Sequence, residues 1–440
     1  MIPLKKHALV LALLCCTVML QAQVTFKSLQ EVWDFADAHN AGIKTAEINK
    51  TIAATGVKQA YGALLPSVTA NGGFTDNLQI QSTLIPANLF DPAAPAGTYT
   101  EATFGRRYNY SGNVIAEMDI LNTQDWFAVK AAKLNKEIAA ISIAQSKKDL
   151  YGQLANSYYS CMLLSEAERL SLENLRAISD VYAISLQKFN DGLISEVTLN
   201  LAGINKEKAE KSLDVARQNK LLQLNTLKSL LGSDQDIEIT EELNEDFLFS
   251  ADTGFAPDPT VQLYSLQAMV SKNEMQSQRA AFAPTLSAVY QYSTLVAGDD
   301  FASFANSNTI PQQYWGLRLS VPIFAGNSKR YEVQKAKLDY AAKQEQYNNA
   351  VLQNTINNTN LLIAYRGALQ AYTASKSILE RYRANDAHAA QRMQEGLISL
   401  DERLDFYSDM IISQNEYLQS MSDYLIQEYR LKISQTNLIR

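Results

Sequence analysis

Between Ala96 and Ala256 this chain contains no proline, and none follows Pro322. Proline breaks a helix interior, so its absence over such lengths lets helices run on. The text there, such as "AVKAAKLNKEIAAISIAQSKKDLYGQLA" and "YEVQKAKLDYAAKQEQYNNAVLQ", is rich in helix formers. Leu121 to Asp191 as one helix would measure ~105 Å at ~1.5 Å per residue, a rod that no compact globular core needs. The last such helix shows how the rods pack. Leu400, Leu404, Tyr407, Ile411, Leu418, Met421 and Leu425 alternate steps of four and three, with Gln414 at the missing position. That is a heptad seam, the mark of coiled-coil packing.

The proline-bearing segments read differently. From Val68, every second residue (Val68, Ala70, Gly72, Phe74, Leu78, Ile80) is apolar or small, with Asp76 the exception, and the alternates are polar or glycine. The same period of two runs through Tyr108 to Ile120, through Leu286, Ala288, Tyr290 and Tyr292, and through Trp315, Leu317, Leu319, Val321 and Ile323. These are four strands with one oily and one wet face. Their length and their tyrosine, tryptophan and phenylalanine fit a transmembrane barrel. A soluble sandwich with one wet face is the other reading.

The N-terminus bears on that choice. Lys5, Lys6 and His7 followed by apolar Ala8 to Leu20 read as a secretory signal, with cleavage expected after Ala22. Cys15 and Cys16 raise lipidation as an alternative, but bulky Leu13 and Leu14 stand where a lipid-attachment site wants a small residue. Losing Lys5 and Lys6 takes the formal charge from −7 to −9, which argues against nucleic acid as a partner. A single cysteine, Cys161, then remains, so no internal disulfide is expected. No later apolar run reaches the ~18 residues of a transmembrane helix, so a membrane form of this chain must be a β-barrel.

The chain is also duplicated. "GLIS" occurs at Gly192-Leu193-Ile194-Ser195 and again at Gly396-Leu397-Ile398-Ser399, 204 residues on. At that offset "MDILNTQDWFAVKAAKLN" falls on "PIFAGNSKRYEVQKAKLD", and "LLPSV" meets "FAPTL" once the longer first loop is allowed for. Each half is helix, strand, loop, strand, long helix, turn, long helix. Four strands cannot close a barrel, for which about eight is the smallest number. The chain must then share its barrel with copies of itself, two giving eight strands and three giving twelve.

With this layout the chain resembles the TolC family of outer-membrane efflux channels. The resemblance covers nearly all of the expected mature chain. It rests on "SLQEVWDFADAHNAGI", "LPS" before the first strand, "PIFAGNSKR" after the fourth, and the turns "FNDGLISEV" and "MQEGLISLDERLD". It implies a mainly α chain with a transmembrane β portion: a long coiled-coil helical barrel and four strands per chain, closed as a trimeric 12-stranded β-barrel in outer-membrane lipid. The organisation expected is a signal peptide (1–22), an N-terminal periplasmic helix (23–64), a first β-hairpin (65–121) and a first helical hairpin (122–231) with its tip at 190–195. An equatorial linker (232–260), a helix (261–283), a second β-hairpin (284–324) and a second helical hairpin (325–440) with its tip at 394–399 complete it. The partners implied are a homotrimer and a periplasmic adaptor, through which the duct meets an inner-membrane pump.

The turns have an ordinary structural reading. Gly192 and Gly396 end a helix, and Ser195 and Ser399 cap the next, with Glu402 completing a capping box. The resemblance adds that such tips meet the adaptor, with Leu193, Ile194, Leu397 and Ile398 expected as exposed apolar contacts. It also places family pore acids six and nine positions past the second glycine, here Glu402 and Asp405, beside Asp401. A helix dipole and capping box suffice to explain Asp401 and Glu402, so Asp405 is the stronger gate candidate. The matching first-repeat positions are Thr198 and Leu201, and where some members carry a latch arginine this chain has Ile398.

No enzyme is legible. His39 and His388 lie far apart without an HExxH neighbour, and no phosphate-binding glycine loop follows a strand. Cys161 sits mid-helix as a packing residue. No cofactor or metal is expected. The alternative from another class is a secreted or surface coiled-coil scaffold with a β-sandwich head.

Overall fold

The computed structural model describes residues 24–241, 254–302 and 307–439. The signal segment and part of the linker thus lie outside the described residues. In chain order the elements are β1 (Val24–Phe26), α1 (Leu29–His39), α2 (Ala41–Gly62), β2 (Ser67–Asp76), β3 (Ser82–Pro86), β4 (Tyr99–Thr103), β5 (Tyr108–Leu121), α3 (Thr123–Asn190) and α4 (Glu196–Leu231). There follow β6 (Ile237–Ile239), α5 (Pro259–Ala280), β7 (Thr285–Gly298), β8 (Asn308–Ser320), α6 (Ser328–Gln394) and α7 (Leu400–Gln435). Contacts divide the chain into two compact units, 51–137 with 266–345, and 1–50 with 138–265 and 346–440.

The first of these units holds one antiparallel sheet in the order β2-β5-β7-β8. Its register sorts the side chains by face. Val68, Ala116, Tyr290 and Trp315 form one row, and Phe74, Tyr110, Val296 and Thr309 another on the same side. Rows of opposite parity include Asn71, Asn113, Ser293 and Gln312, where Asn71 Nδ2 donates to Asn113 Oδ1 at 2.9 Å. One face is therefore oily and aromatic and the other largely polar, as the period of two requires. The oily face is bare: Val68 is 70% exposed and Trp315 78%. A β-bulge falls between Asp119 and Leu121. Pro311, which has no N–H, sits on edge strand β8, where such a gap is tolerated.

The first inter-strand loop is more ordered than its prolines suggest. β3 and β4 pair as a small hairpin ending in Pro86, where a missing donor does no harm. At the other end of this unit, both long helices are tied to the C-terminus of α5. Thr123 Oγ1 donates to the Ala280 carbonyl at 3.2 Å, and Lys329 Nζ to the Ala281 carbonyl at 2.7 Å. The lysine also sits where a helix end favours a cation.

In the second unit, Phe26, Val32, Trp33, Leu154, Tyr158, Leu227, Leu231 and Tyr429 are among the residues of one core. Trp33 stacks on Tyr151 at 4.8 Å. The expected single N-terminal helix is corrected to a strand and two helices. β1 pairs in parallel with β6, inside the expected linker. The helix breaks at Asn40, whose Oδ1 accepts from Gly42 N (2.7 Å) and Ile43 N (3.2 Å), while its Nδ2 donates to the Leu230 carbonyl (2.8 Å). A side chain that starts a new helix and grips α4 together outweighs continuity. Cys161 is 2% exposed, and burial pushes its thiol up to about 12, so it packs rather than reacts.

The packing of α6 against α7 follows a rule. Tyr365, Tyr372, Leu379, Asp386 and Met393 are buried at seven-residue spacing on α6, and Arg403, Met410, Tyr417 and Tyr424 on α7. The aromatic centroids of Tyr365–Tyr424 and Tyr372–Tyr417 lie 5.9 Å apart, which sets an antiparallel ladder. In that ladder Leu379 falls opposite Met410, and Asp386 opposite Arg403. The seam read from Leu400 to Leu425 is a second face of α7. Its Gln414 exchanges hydrogen bonds with Asn174 of α3 at 2.7 and 3.3 Å. α7 therefore has two neighbours.

Candidate functional site: the two helical turns

Both turns use one backbone device. Gly192 and Gly396 adopt φ of +73° and +76°, a region that glycine enters without a steric penalty. In the first turn Leu193 N donates to the Lys188 carbonyl and Gly192 N to the Phe189 carbonyl, at 2.8 and 2.9 Å. In the second, Leu397 N donates to Arg392 and Gly396 N to Met393, at 2.8 and 3.1 Å. These paired bonds satisfy carbonyls that a helix end leaves free. The returning helix is capped alike: Ser195 Oγ accepts from Thr198 N and Ser399 Oγ from Glu402 N, each at 3.2 Å.

The apolar pairs are not equally exposed. Leu193 is 71% exposed and Leu397 62%. Ile194 is half-buried, and Ile398 is 8% exposed. The expectation that Ile398 is an exposed contact is thus corrected. It packs in a core with Ile178, Val181, Ala209, Ala389, Met393 and Leu404, because the turn folds its second apolar residue back under the helix ends. Val197, two residues past Ser195 in the first turn, adds a further exposed apolar side chain, at 78%.

Asp401, Glu402 and Asp405 are all exposed. Between them on the same helix lies a residue the sequence reading missed. Arg403 is 2% exposed and forms a two-pronged ion pair with Asp386, Nη1 to Oδ1 at 2.5 Å and Nη2 to Oδ2 at 3.1 Å. Its Nε has no partner among the described residues. Tyr407, one turn on, donates to the Asn174 carbonyl at 3.3 Å, and burial pushes its phenol up to about 12. The start of α7 is thereby fastened to α6 by charge and to α3 by hydrogen bonds. Lys188 Nζ also reaches the Met393 carbonyl at 3.5 Å, joining the two turns.

Among the described residues no group of His, Cys, Asp and Glu is placed to hold a metal ion, and no helix is long and apolar enough to cross a membrane. What the site offers is an exposed apolar surface at one turn and clustered carboxylates at the other.

Comparison with known proteins agrees with this geometry. The family described as "Outer membrane efflux protein" matches residues 34–233. Two Pseudomonas putida proteins, the solvent efflux pump outer membrane protein SrpC and the toluene efflux pump outer membrane protein TtgI, are each 26% identical over 302 residues. That alignment spans 64% of this chain and 61% of each relative. The fold is shared with the Campylobacter jejuni CmeC outer membrane channel (TM-score 0.75, 19% identity, 92% of this chain and 85% of that one). It is shared equally with CusC (TM-score 0.76, 16% identity, 93% of this chain and 92% of that one).

Proposed function

We propose that this chain, whose residues 34–233 match the outer membrane efflux protein family, is a channel of that family with its helical part in the periplasm, and that three copies form a passive exit duct. The observation that carries this reading is the sheet. It has two unpaired edges, β2 and β8, and a bare aromatic face, a combination costly in water. Pairing β8 of one copy with β2 of the next removes the edges, and lipid covers the oily face. The scaffold reading needs a second sheet over that face, and among the described residues none lies there.

In this reading the turns face the periplasm. Leu193, Leu397 and Val197 give an adaptor its apolar footing, and through it an inner-membrane pump supplies the energy. Asp405, with Glu402 and Asp401, gathers negative charge around the entrance, favouring cations and opposing tight closure without counter-ions. Opening moves α6 and α7 together away from α3, breaking the Asn174–Gln414 and Tyr407–Asn174 bonds while Arg403–Asp386 holds the pair intact.

The test is membrane fractionation, mild detergent electrophoresis and planar-bilayer recording. A duct sediments with outer membrane, migrates as a trimer and conducts ions. Recovery as a soluble periplasmic monomer would end the proposal.

A further inference from the structure

The four strands of the sheet carry only four charged residues, Asp76, Glu117, Asp119 and Arg318. Asp76 closes its strand in the row of Tyr108 and Gly298. The other three lie on the polar face in two neighbouring rows. Glu117 is level with Ser67, Val289 and Gly316, and Asp119 with Ser287 and Arg318. Beyond these rows the polar face is uncharged, with Asn71, Asn113, Gln291, Tyr314 and Gln312 among its residues.

The three charges are held rather than loose. Arg318 reaches diagonally past β7 to Glu117, Nη1 to Oε1 at 3.4 Å. Asp119 accepts from Ser287 Oγ at 2.6 Å and from Asn122 Nδ2 at 3.0 Å. Glu117 and Arg318 cancel in formal charge, while Asp119 has hydrogen bonds but, among the described residues, no ion-pair partner. Each chain therefore contributes one net negative charge at this level of the sheet.

We propose that Glu117, Asp119 and Arg318 form a charge-selective band in the strand-built part of the duct, separate from the acidic turn residues. It rests on the trimeric duct reading, in which the polar face lines the pore. Three copies bring three net negative charges round one axis, with the Asp119 carboxylates pinned toward the passage. Such a ring favours cationic and neutral solutes over anions. Because Arg318 half-compensates the two acids, it tunes the band more than it stabilises the sheet, and as an exposed pair with Glu117 it adds little stability.

The experiment measures cation-over-anion permeability in planar bilayers under a salt gradient. It uses trimers carrying Asp401→Asn, Glu402→Gln and Asp405→Asn, so that the turn acids make no contribution. In that background Arg318→Gln should raise the ratio, and Asp119→Asn or Glu117→Gln should lower it. Each substitution alters three unit charges in the trimer, so each change should be several-fold at low salt, one unit charge about 10 Å away through water being worth about two-fold. The double change Glu117→Gln with Arg318→Gln restores the net charge and should return the ratio to its starting value. Arg318→Lys, which keeps the charge, should leave it there. Conducting trimers whose ratio ignores all of these substitutions overturn the band but leave the duct standing. Absence of any conductance, in the parent protein too, overturns the duct reading and the band with it.

Discussion

The two turns share a backbone, an exposed leucine and an exposed serine, and differ in the helical turn that follows. At the 204-residue offset, Val197 and Leu201 in the first correspond to Asp401 and Asp405 in the second. The same two exposed positions on the same helical turn are apolar in one copy and acidic in the other. Beneath them, half-buried Tyr182 and Leu199 stand where the second copy has Asp386 and Arg403, and Lys206 lies over the Tyr182 ring at 5.4 Å. The duplicated backbone was kept, while the chemistry was divided between an apolar surface suited to a protein partner and a charged one suited to ions and water.

The largest way to break this comparison is Asp386→Ala. It strands a buried guanidinium and should cost ~3–5 kcal/mol in denaturant unfolding, whereas Asp386→Leu with Arg403→Met should be close to neutral. Tyr182→Leu, at the matching site of the first turn, should cost far less. If both sites responded alike, the asymmetry would be cosmetic. Next, Val197→Asp with Leu201→Asp gives the first turn the second's charge. Adaptor affinity should fall at least about tenfold, ~1.4 kcal/mol, with conductance of the isolated trimer unchanged. A purified adaptor that binds the variant normally removes these residues from the footing.

Glycine tests the shared part. Gly192→Ala and Gly396→Ala should each cost ~1–2 kcal/mol, because both require positive φ, and the two losses should agree. Unequal melting shifts would show that the turns are not one device. The smallest effect is expected from Asp405→Asn, which should lower cation preference and divalent blockade while trimers persist. Unchanged conductance with added divalent cations would take Asp405 out of the gate.

Much of this was legible in the sequence because it is periodic or positional. Alternation from Val68 and from Trp315 gives the two faces of the sheet directly, and glycine followed by serine three residues later marks each turn. Ile398 is buried where an exposed residue was expected, because burial there depends on how the turn folds back, which no local pattern encodes. Asn40 resembled an ordinary helical residue until its grip on the Leu230 carbonyl was seen. Arg403 was missed because charge argues for exposure. Yet a signal existed: Arg403, Met410, Tyr417 and Tyr424 stand seven apart, as do Tyr365, Tyr372, Leu379 and Asp386. Reading the heptads without regard to polarity would have placed the ion pair in the core.

That ladder also limits which motions the second hairpin can make. If α7 slid one heptad along α6, Arg403 would come to rest against Leu379 or Met393, and in the latter case Asp386 against Met410. Either position leaves charges buried without partners, at several kcal/mol, so the rung acts as an index mark that fixes one alignment. The hairpin can lean, bend or swing, but it cannot telescope. A force applied at the second turn is therefore carried along both helices at once, without slack.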